Sequence, residues 1–387
     1  MYSYEIDPNI QEDMVCWRHH LHQFPELALK EDKTASFVAA LLRSFGCDVV
    51  EKVGGTGVVG SIRYGPSNKS IGFRAEMDAL PLLEKTNKSY RSKNNCMHAC
   101  GHDGHMAMLL GAAKILSQEI TFDGTIRFIF QPAEEETSGS RHMIDDGFFE
   151  RFSIDEIYGL HNVPFIPEGS LALKSGGIMS GEDDFGISIR GEGCHASTPH
   201  LGADPFLCFS EIYQSLQFMI SRCSNPLYPI VLSFTEISSN GGHNIIPSNL
   251  ITKGDVRCFR QEDQTFIEKE MSEICQSICH LYGAKCDVEY HHECRPVIND
   301  SLLCQSAIVA AMQTVGEEKV IPDTEPWMAS EDFSNFLKKI PGCYVLLGTG
   351  VNFEKNPSLH SPFYDFNDRV LPIGASYFVN LAKERLA

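Results

Sequence analysis

Residues 98–105, His-Ala-Cys-Gly-His-Asp-Gly-His, concentrate side chains that could perform chemistry. Thiolate and imidazole groups are good ligands for zinc and similar ions. Cys100 and His102 are two residues apart, so an extended backbone would direct both side chains to the same side. The segment leads into a strongly apolar helix predicted at residues 104–116. The clustering favours a metal site over a helix-capping loop with incidental histidines.

A second polar segment, Gln-Pro-Ala-Glu-Glu-Glu at residues 131–136, follows a buried strand predicted at residues 125–131. Carboxylates at the carboxyl end of a sheet strand lie where α/β folds place their ligands. Alternation along an extended chain would turn Glu134 and Glu135 to opposite sides. One carboxylate could then bind a metal while the other faces a bound water, although a solvated acidic loop is the alternative.

Further histidines follow predicted strands or lie in loops. His161 comes directly after an apolar strand predicted at residues 154–160, and His360 lies in Ser-Leu-His-Ser-Pro near the C-terminus. Each is by itself more typical of a structural histidine than of a ligand. Glycine and proline mark the segments around His195 and Asn244 as loops. The repeated occurrence of histidine after strands of one α/β layer is what favours a shared site.

The elements that must position these residues alternate between helix and strand. This alternation in residues 1–183 and 294–387 predicts a mostly parallel sheet covered by helices. Residues 184–293 follow the order β-α-β-β-α-β, the ferredoxin-like pattern. We therefore predict an α/β protein with a discontinuous metal-binding catalytic domain and an inserted α+β lid or dimerisation domain. Within the first domain we expect one helix over residues 140–149, and we expect Ser330 to cap a later helix.

Composition excludes several classes of function. The chain has 51 acidic and 32 basic residues and a formal net charge of −19, whereas nucleic-acid binding requires a basic surface. No apolar run approaches the ~18–20 residues of a membrane span. The first residues lack the basic and apolar regions of a signal peptide. We expect a cytoplasmic protein with neither nucleic-acid nor membrane partners, and with its 14 cysteines reduced.

The motifs together resemble the aminoacylase and carboxypeptidase superfamily of dinuclear metallohydrolases. More specifically, the chain resembles the amidohydrolase branch that contains hippurate hydrolase, N-acetyldiaminopimelate deacetylase and the indole-acetyl-amino-acid hydrolases. The motifs occur in family order and span nearly the whole chain. They are Arg-Ala-Glu-Met-Asp-Ala-Leu-Pro (74–81), Met-His-Ala-Cys-Gly-His-Asp-Gly-His (97–105), Phe-Gln-Pro-Ala-Glu-Glu (130–135), Leu-His-Asn (160–162), His-Ala-Ser-Thr-Pro (195–199), Asn-Ile-Ile-Pro (244–247), Met-Ala-Ser-Glu-Asp-Phe (328–333) and Leu-His (359–360).

The resemblance implies two divalent metal ions per chain, with zinc, manganese, cobalt and nickel all compatible. The thiolate of Cys100 would bridge the two ions. His102 and His161 would complete the shell of one ion, and Glu135 and His360 would complete the shell of the other. The remaining polar residues of segment 98–105 would shape the loop without binding metal.

The resemblance also implies a reaction, which is hydrolysis of the amide bond of N-acyl amino acids or related small conjugates. Metal-bound hydroxide would attack the carbonyl, with Glu134 as the general base. His195 of the inserted domain would donate to the oxyanion, often across a dimer interface, and Asn244 would help to bind substrate. Asp78 would orient a ligand histidine. A small-molecule substrate and a homodimer formed through the inserted domain are expected.

Three other functions fit the motifs less well. A metallo-dipeptidase or aminopeptidase usually carries a first-metal motif with histidine and a bridging aspartate, so Cys-Gly-His disfavours it. A catalytically inactive binding homologue would lack a ligand or the base, and all six of these residues are present. A structural zinc module would need four ligands within residues 96–102, which leaves too little chain to surround a tetrahedral ion.

Three features depart from the pattern of the branch. Glu76 stands where the branch usually has aspartate, Glu136 and Thr137 stand where it is typically rich in glycine, and Cys194 stands where glycine is common. None of these changes removes a ligand. They leave the acyl group and the amino acid of the preferred substrate unpredicted.

Overall fold

The computed structural model describes residues 6–118, 122–351 and 356–387. Residues 1–5, which contributed to the prediction that the first residues are not a signal peptide, lie outside the described residues. The chain forms two compact units. Unit 1 contains Met1–Ile178, Ile298–Glu325 and Asp332–Ala387, and unit 2 contains Met179–Val297 and Pro326–Glu331. The predicted domain boundaries lay a few residues away, at 183/184 and 293/294.

The α-helices are α1 (Pro8–Gln23), α2 (Asp32–Ser44), α3 (His102–Gln118), α4 (Gly139–Asp145), α5 (Phe148–Arg151), α6 (Pro205–Cys223), α7 (Gln261–Leu281), α8 (Ser301–Val315), α9 (Ser334–Leu337) and α10 (Leu371–Arg385). The strands are β1 (Asp48–Val53), β2 (Gly57–Tyr64), β3 (Ser70–Glu76), β4 (Gly124–Gln131), β5 (Glu156–Pro167), β6 (Leu171–Ala172), β7 (Gly176–Met179), β8 (Gly181–Arg190), β9 (Cys194–His195), β10 (Ile230–Ser239), β11 (Ile245–Ile246), β12 (Asn249–Cys258), β13 (Lys285–Cys294), β14 (Val297–Asn299), β15 (Val320–Ile321) and β16 (Gly342–Gly350).

The sheet of unit 1 has the strand order β1-β2-β4-β3-β5-β16-β6-β15. Its centre is parallel, because β3 pairs with β4 and with β5, and β5 pairs with β16. Strands β3 and β16 are buried along their whole length, as is typical of parallel strands with both faces covered. Helix α3 is buried on nearly all sides because α1 and α10 pack against it. The predicted mostly parallel sheet covered by helices is confirmed.

Unit 2 contains an antiparallel sheet with the strand order β10-β12-β8-β13. The elements follow one another as β8-α6-β10-β12-α7-β13, so the predicted ferredoxin-like order is confirmed. Phe185, Ile187 and Ile189 of β8 are buried among apolar side chains of α6 and α7, while the intervening positions of the strand are more exposed. Helix α6 begins at Pro205, whose fixed φ suits the first position of a helix.

Two local predictions are wrong, one in unit 1 and one at Ser330 in unit 2. The helix expected over residues 140–149 is divided into α4 and α5 by Gly147, whose φ of 77° ends one helix and precedes the next. Ser330 does not cap a helix, because α9 begins only at Ser334. The Ser330 hydroxyl instead donates to Glu182 at 2.5 Å.

Among the described residues, no helix is both long enough and apolar enough to cross a membrane.

Asp332 joins three elements of unit 1 through a buried ion pair. Its Oδ1 accepts from Nη2 of Arg74 on β3 at 2.9 Å, and both side chains are fully buried. The same carboxylate accepts from Nε2 of Gln131 on β4 and from the backbone N–H of Ser140 in α4, each at 2.8 Å. These bonds fix the carboxyl ends of β3 and β4 relative to α4.

We expect Asp332→Ala to lower the free energy of unfolding by roughly 3–5 kcal/mol, because the buried guanidinium of Arg74 loses a partner. The measurement is urea unfolding followed by circular dichroism. Asp323→Ala is the matched control, since Asp323 pairs with Lys174 through a side chain that is 82% exposed. Equal midpoints for the Asp332→Ala and Asp323→Ala proteins would contradict the expectation.

Candidate metal centre

The candidate site lies at the carboxyl edge of the parallel strands of unit 1. Asp78 follows the end of β3, and Glu134 and Glu135 follow the end of β4. His161 lies in β5 just beyond the part that pairs with β3, which ends at the Arg74–Gly159 pair. Because β3, β4 and β5 run parallel, these positions lie at the same edge of the sheet.

The chain between Cys100 and His102 is turned, not extended as predicted. Gly101 has a φ of 92°, and His102 begins helix α3. A Cβ at Gly101 would lie 2.2 Å from Oδ1 of Asn162, so both the left-handed backbone and the close packing require glycine. This turn, and not the alternation of an extended chain, brings the thiol of Cys100 and the imidazole of His102 together.

The chain that carries Glu134 and Glu135 is also turned. Ala133 has a φ of 51°, and residues 134–137 form a turn, so the predicted separation to opposite sides of an extended chain is wrong. Both carboxylates approach His102. Oε2 of Glu134 lies 3.8 Å from its Nε2, and Oε1 of Glu135 lies 3.9 Å from the same atom.

Two groups of possible metal ligands share the thiol of Cys100. The first group adds His102 and His161, and the second adds Glu135 and His360; within each group the ligand atoms lie within 4.8 Å of one another. Nε2 of His102 and Oε1 of Glu135 are buried without a hydrogen-bond partner among the described residues. A cation held by each group would satisfy these lone pairs, so the donor set fits two divalent ions.

Outer hydrogen bonds orient both buried histidines. Nδ1 of His102 donates to the backbone oxygen of Asp78 at 2.9 Å, and Oδ1 of Asp78 lies 3.6 Å from the same nitrogen. Nδ1 of His161 donates to the backbone oxygen of Asn162 at 2.8 Å. In the neutral form of each ring, Nε2 is therefore the nitrogen with a lone pair, and that of His161 lies 3.5 Å from Sγ of Cys100.

Glu135 and His360 form the more exposed side of the site. Nε2 of His360 lies 3.4 Å from Oε2 of Glu135, and the His360 side chain is 55% exposed. The backbone N–H of His360 donates to the oxygen of Ala99 at 2.9 Å, which ties this C-terminal loop to segment 98–105. The backbone N–H of Glu135 donates to Oδ2 of Asp78 at 2.9 Å. His360 is therefore the most exposed of the five candidate ligands.

Burial and neighbouring charges shift the pKa values of these groups. Burial opposes the charging of His102, but the hydrogen bond to Asp78 and the charges of Glu76 and Glu135 outweigh it and raise its pKa to about 10. Burial raises the pKa of Glu135 to about 7. Burial lowers the pKa of His161 well below its usual value. A metal ion must displace the proton of His102, so binding weakens as the pH falls.

His98 and His105, for which the resemblance implies a supporting role, are both buried but differ in their contacts. His98 is buried, neither ring nitrogen has a hydrogen-bond partner among the described residues, and burial lowers its pKa to about 4. His105 lies between two side chains, with Nδ1 2.7 Å from Oε2 of Glu76 and Nε2 2.6 Å from Oδ1 of Asn162. Glu76, His102 and His105 form a further group of possible ligands within 4.8 Å, but both ring nitrogens of His105 are already hydrogen-bonded.

Sequence reasoning missed Arg18 and His22, which hold Asp103 from α1. Both are fully buried, and Oδ2 of Asp103 accepts from Arg18 at 3.3 Å and from His22 at 2.8 Å. Their spacing of four residues was a usable signal, because in a helix such as α1 it places both on one face. A charged pair on the buried face of a helix indicates a buried acidic partner.

His195 and Asn244 lie in unit 2, in segments that the structure brings together. Strand β9 pairs with β11, and the N–H of Ala196 donates to the backbone oxygen of Asn244 at 3.0 Å. Nδ1 of His195 accepts from the N–H of Ser197 at 3.1 Å. The neutral ring of His195 therefore carries its proton on Nε2, which makes that atom a hydrogen-bond donor.

The comparisons with known proteins agree with this architecture. Residues 72–384 match the model of peptidase family M20/M25/M40, and the chain belongs to this family. It is 38% identical to a hippurate hydrolase of Campylobacter jejuni over 98% of each chain, and 35% identical to an N-acetyl-L-cysteine deacetylase of Bacillus subtilis over 97% of this chain and 89% of that one. A solved Bacillus subtilis protein, described as a dinuclear metal-binding peptidase of family M20, superimposes with a TM-score of 0.86 at 30% identity and covers 98% of this chain and 99% of its own.

Because both ligand groups share Cys100, we expect Cys100→Ala to weaken both metal sites by more than the ~10–100-fold typical of losing an outer partner. His161→Ala and His360→Ala should each weaken one site. The measurement is metal content per chain after desalting, by mass spectrometry. Cys96→Ala is the control and should keep the wild-type content, because Cys96 lies outside these groups. Full occupancy in the Cys100→Ala protein would rule out the shared thiol.

Proposed function

We propose that this protein is a metal-dependent hydrolase that cleaves the amide bond of N-acyl amino acids or related small conjugates. The observation that carries the proposal is the convergence of five side chains from four separate segments in two groups that share Cys100. Two relatives that align over nearly the whole chain are named for the hydrolysis of hippurate and the deacetylation of N-acetyl-L-cysteine. Both of those compounds are N-acyl amino acids.

The proposed ligand set assigns three residues to each ion. His102 and His161 would hold one ion, Glu135 and His360 would hold the other, and Cys100 would belong to both ligand sets. Thiolate and imidazole ligands favour zinc, while manganese, cobalt and nickel fit the same donors. When bound, two such ions supply Lewis acidity, which lowers the pKa of water and polarises the amide carbonyl.

Glu134 is the proposed general base. Its carboxylate is only 8% exposed, lies within 3.8 Å of Nε2 of His102, and belongs to neither of the groups that contain Cys100. It accepts a proton from the attacking water and passes it to the leaving amine, which needs a carboxylate held close to both. Glu136 is exposed and Glu135 is assigned to a metal, so Glu134 is the member of the triple glutamate suited to this role.

Unit 2 supplies the other two residues of the proposed reaction. His195 donates from Nε2–H to the oxyanion that forms from the amide carbonyl. The hydrogen bond from Ser197 to Nδ1 supports this role, because it keeps the proton on Nε2. Asn244, joined to the segment of His195 by a backbone hydrogen bond, contacts the substrate.

The proposed assembly is a homodimer formed through unit 2. Strand β10 is an edge of its sheet, and Val231 and Ile237 on that strand are 42% and 49% exposed. An exposed apolar edge strand readily pairs with another chain. Sedimentation velocity should therefore give a dimer for the wild-type protein and a monomer for Ile237→Lys. A monomeric wild-type protein would contradict the assembly.

The reaction is tested with metal-stripped protein reconstituted with each divalent ion. N-acetyl, N-benzoyl and N-succinyl amino acids are the proposed substrates, and dipeptides with free amino termini are the comparison. We expect hydrolysis of N-acyl amino acids only in the presence of metal. Hydrolysis of the dipeptides alone would favour a peptidase, and an inactive metal-loaded protein would favour a binding homologue.

In the same assay, Glu134→Gln should retain two ions per chain and lose about 10²–10⁴-fold in kcat, because the base can no longer accept a proton. Glu136→Gln is the matched control and should keep wild-type kcat. If Glu134→Gln turns over at the wild-type rate, another group is the base.

A further inference from the structure

Glu31 is a buried carboxylate outside the proposed ligand set, and its place at the start of α2 does not explain its burial. It occupies the N-cap position of α2, yet its side chain makes no capping hydrogen bond. The capping role belongs to Glu26, whose Oε2 accepts from the N–H groups of Lys33 and Thr34 at 2.9 Å each. Burying a carboxylate is unfavourable unless its oxygens accept hydrogen bonds. The donors that reach Glu31 therefore indicate its role.

Three donors from separate segments bind this carboxylate. Oε1 accepts the backbone N–H groups of Leu29 at 3.1 Å and Ala133 at 2.9 Å, and Oε2 accepts the hydroxyl of Thr56 at 2.5 Å. Leu29 and Ala133 both have positive φ, 57° and 51°, a conformation that residues with a side chain rarely adopt. Oε1 of Glu31 thus stabilises the backbone at both Leu29 and Ala133.

Ala133 is the residue at which the chain leaves β4 and turns into the segment of the proposed base. Its N–H is held by Glu31, and the N–H of Glu135 is held at 2.9 Å by Oδ2 of Asp78. Two buried carboxylates therefore bind the backbone N–H groups on either side of Glu134. The direction of the Glu134 side chain depends on both anchors, because each fixes the backbone one residue away.

We propose that Glu31 is a positioning residue for the general base. It stabilises the left-handed turn at Ala133 and so keeps the carboxylate of Glu134 at the proton it must transfer. The inference rests on the proposed function, in which Glu134 is the base. It predicts a change in kcat greater than any change in KM, since the side-chain hydrogen bonds of Glu31 go to Leu29, Thr56 and Ala133 and not to the proposed ligands.

Glu31→Ala is the first variant, studied in the full-length protein. We expect kcat to fall about 10- to 100-fold while KM and the content of two ions per chain change little, because a displacement of about 1 Å can cost a factor of that size. Hydrogen–deuterium exchange of the metal-free protein should become faster in peptides covering residues 132–139. This second readout requires no activity.

Glu31→Gln is the conservative variant. Its amide oxygen can accept the N–H groups of Ala133 and Leu29, and its NH₂ can donate to the hydroxyl of Thr56. We expect the Glu31→Gln protein to have the wild-type kcat and the wild-type, slow hydrogen–deuterium exchange of residues 132–139. If Glu31→Ala does not fold, Glu31→Asp takes its place, because a carboxylate shorter by one methylene should withdraw from Ala133 and show the same loss of kcat.

Glu26→Ala is the matched control. It removes the carboxylate that caps α2 and that lies five residues before Glu31 in the sequence. It should lower the melting temperature while kcat and the exchange of residues 132–139 stay at wild-type values. A loss of kcat in Glu26→Ala equal to that in Glu31→Ala would assign the effect to α2 and overturn the inference.

The remaining outcomes separate this inference from the proposed function. An active wild-type protein with an equally active, folded Glu31→Ala variant overturns the positioning role alone. A wild-type protein that hydrolyses no N-acyl amino acid with any metal overturns the proposed function and the catalytic part of this inference. Unchanged exchange of residues 132–139 in metal-free Glu31→Ala overturns the anchoring of the turn, whatever the activity.

Discussion

The hydrogen bonds of Asp78 connect the two segments that carry most of the proposed ligands. Its backbone oxygen accepts from Nδ1 of His102, and its Oδ2 accepts from the N–H of Glu135. One residue at the end of β3 therefore sets both the orientation of an imidazole and the course of the chain after β4. Metal ligands must converge on common points, and such convergence depends on outer contacts of this kind.

Buried charge is the cost of this arrangement, and further ion pairs in unit 1 offset it. Arg74 lies beside Glu76 and Asp332, and Asp103 lies between Arg18 and His22. Glu76 stands where the branch usually has aspartate. One of its carboxylate oxygens contacts Arg74 and the other contacts His105. A buried charge is tolerated only with partners, so these pairs keep the carboxyl edge of the sheet polar and rigid.

Much of the fold follows from local patterns. The alternation of helix and strand signals indicated the parallel sheet of unit 1, and the order of elements between β8 and β13 indicated the ferredoxin-like unit 2. Local patterns failed at two places. Gly147 divided a predicted helix, and Asp332 entered a buried ion pair in the segment where Ser330 had been expected to cap a helix.

The sequence by itself determined the chemical types in the site. Cysteine, histidine and glutamate, in their order along the chain, identified the class of site and the candidate ligands before any geometry was known. Only the tertiary structure decided how they meet, through the left-handed turns at Gly101 and Ala133 and the carboxylate of Glu31. The physical reason is that these two turns depend on contacts with residues distant in the chain. Here those contacts are the packing of Asn162 against Gly101 and the hydrogen bond from Ala133 to Glu31, which no local pattern reveals.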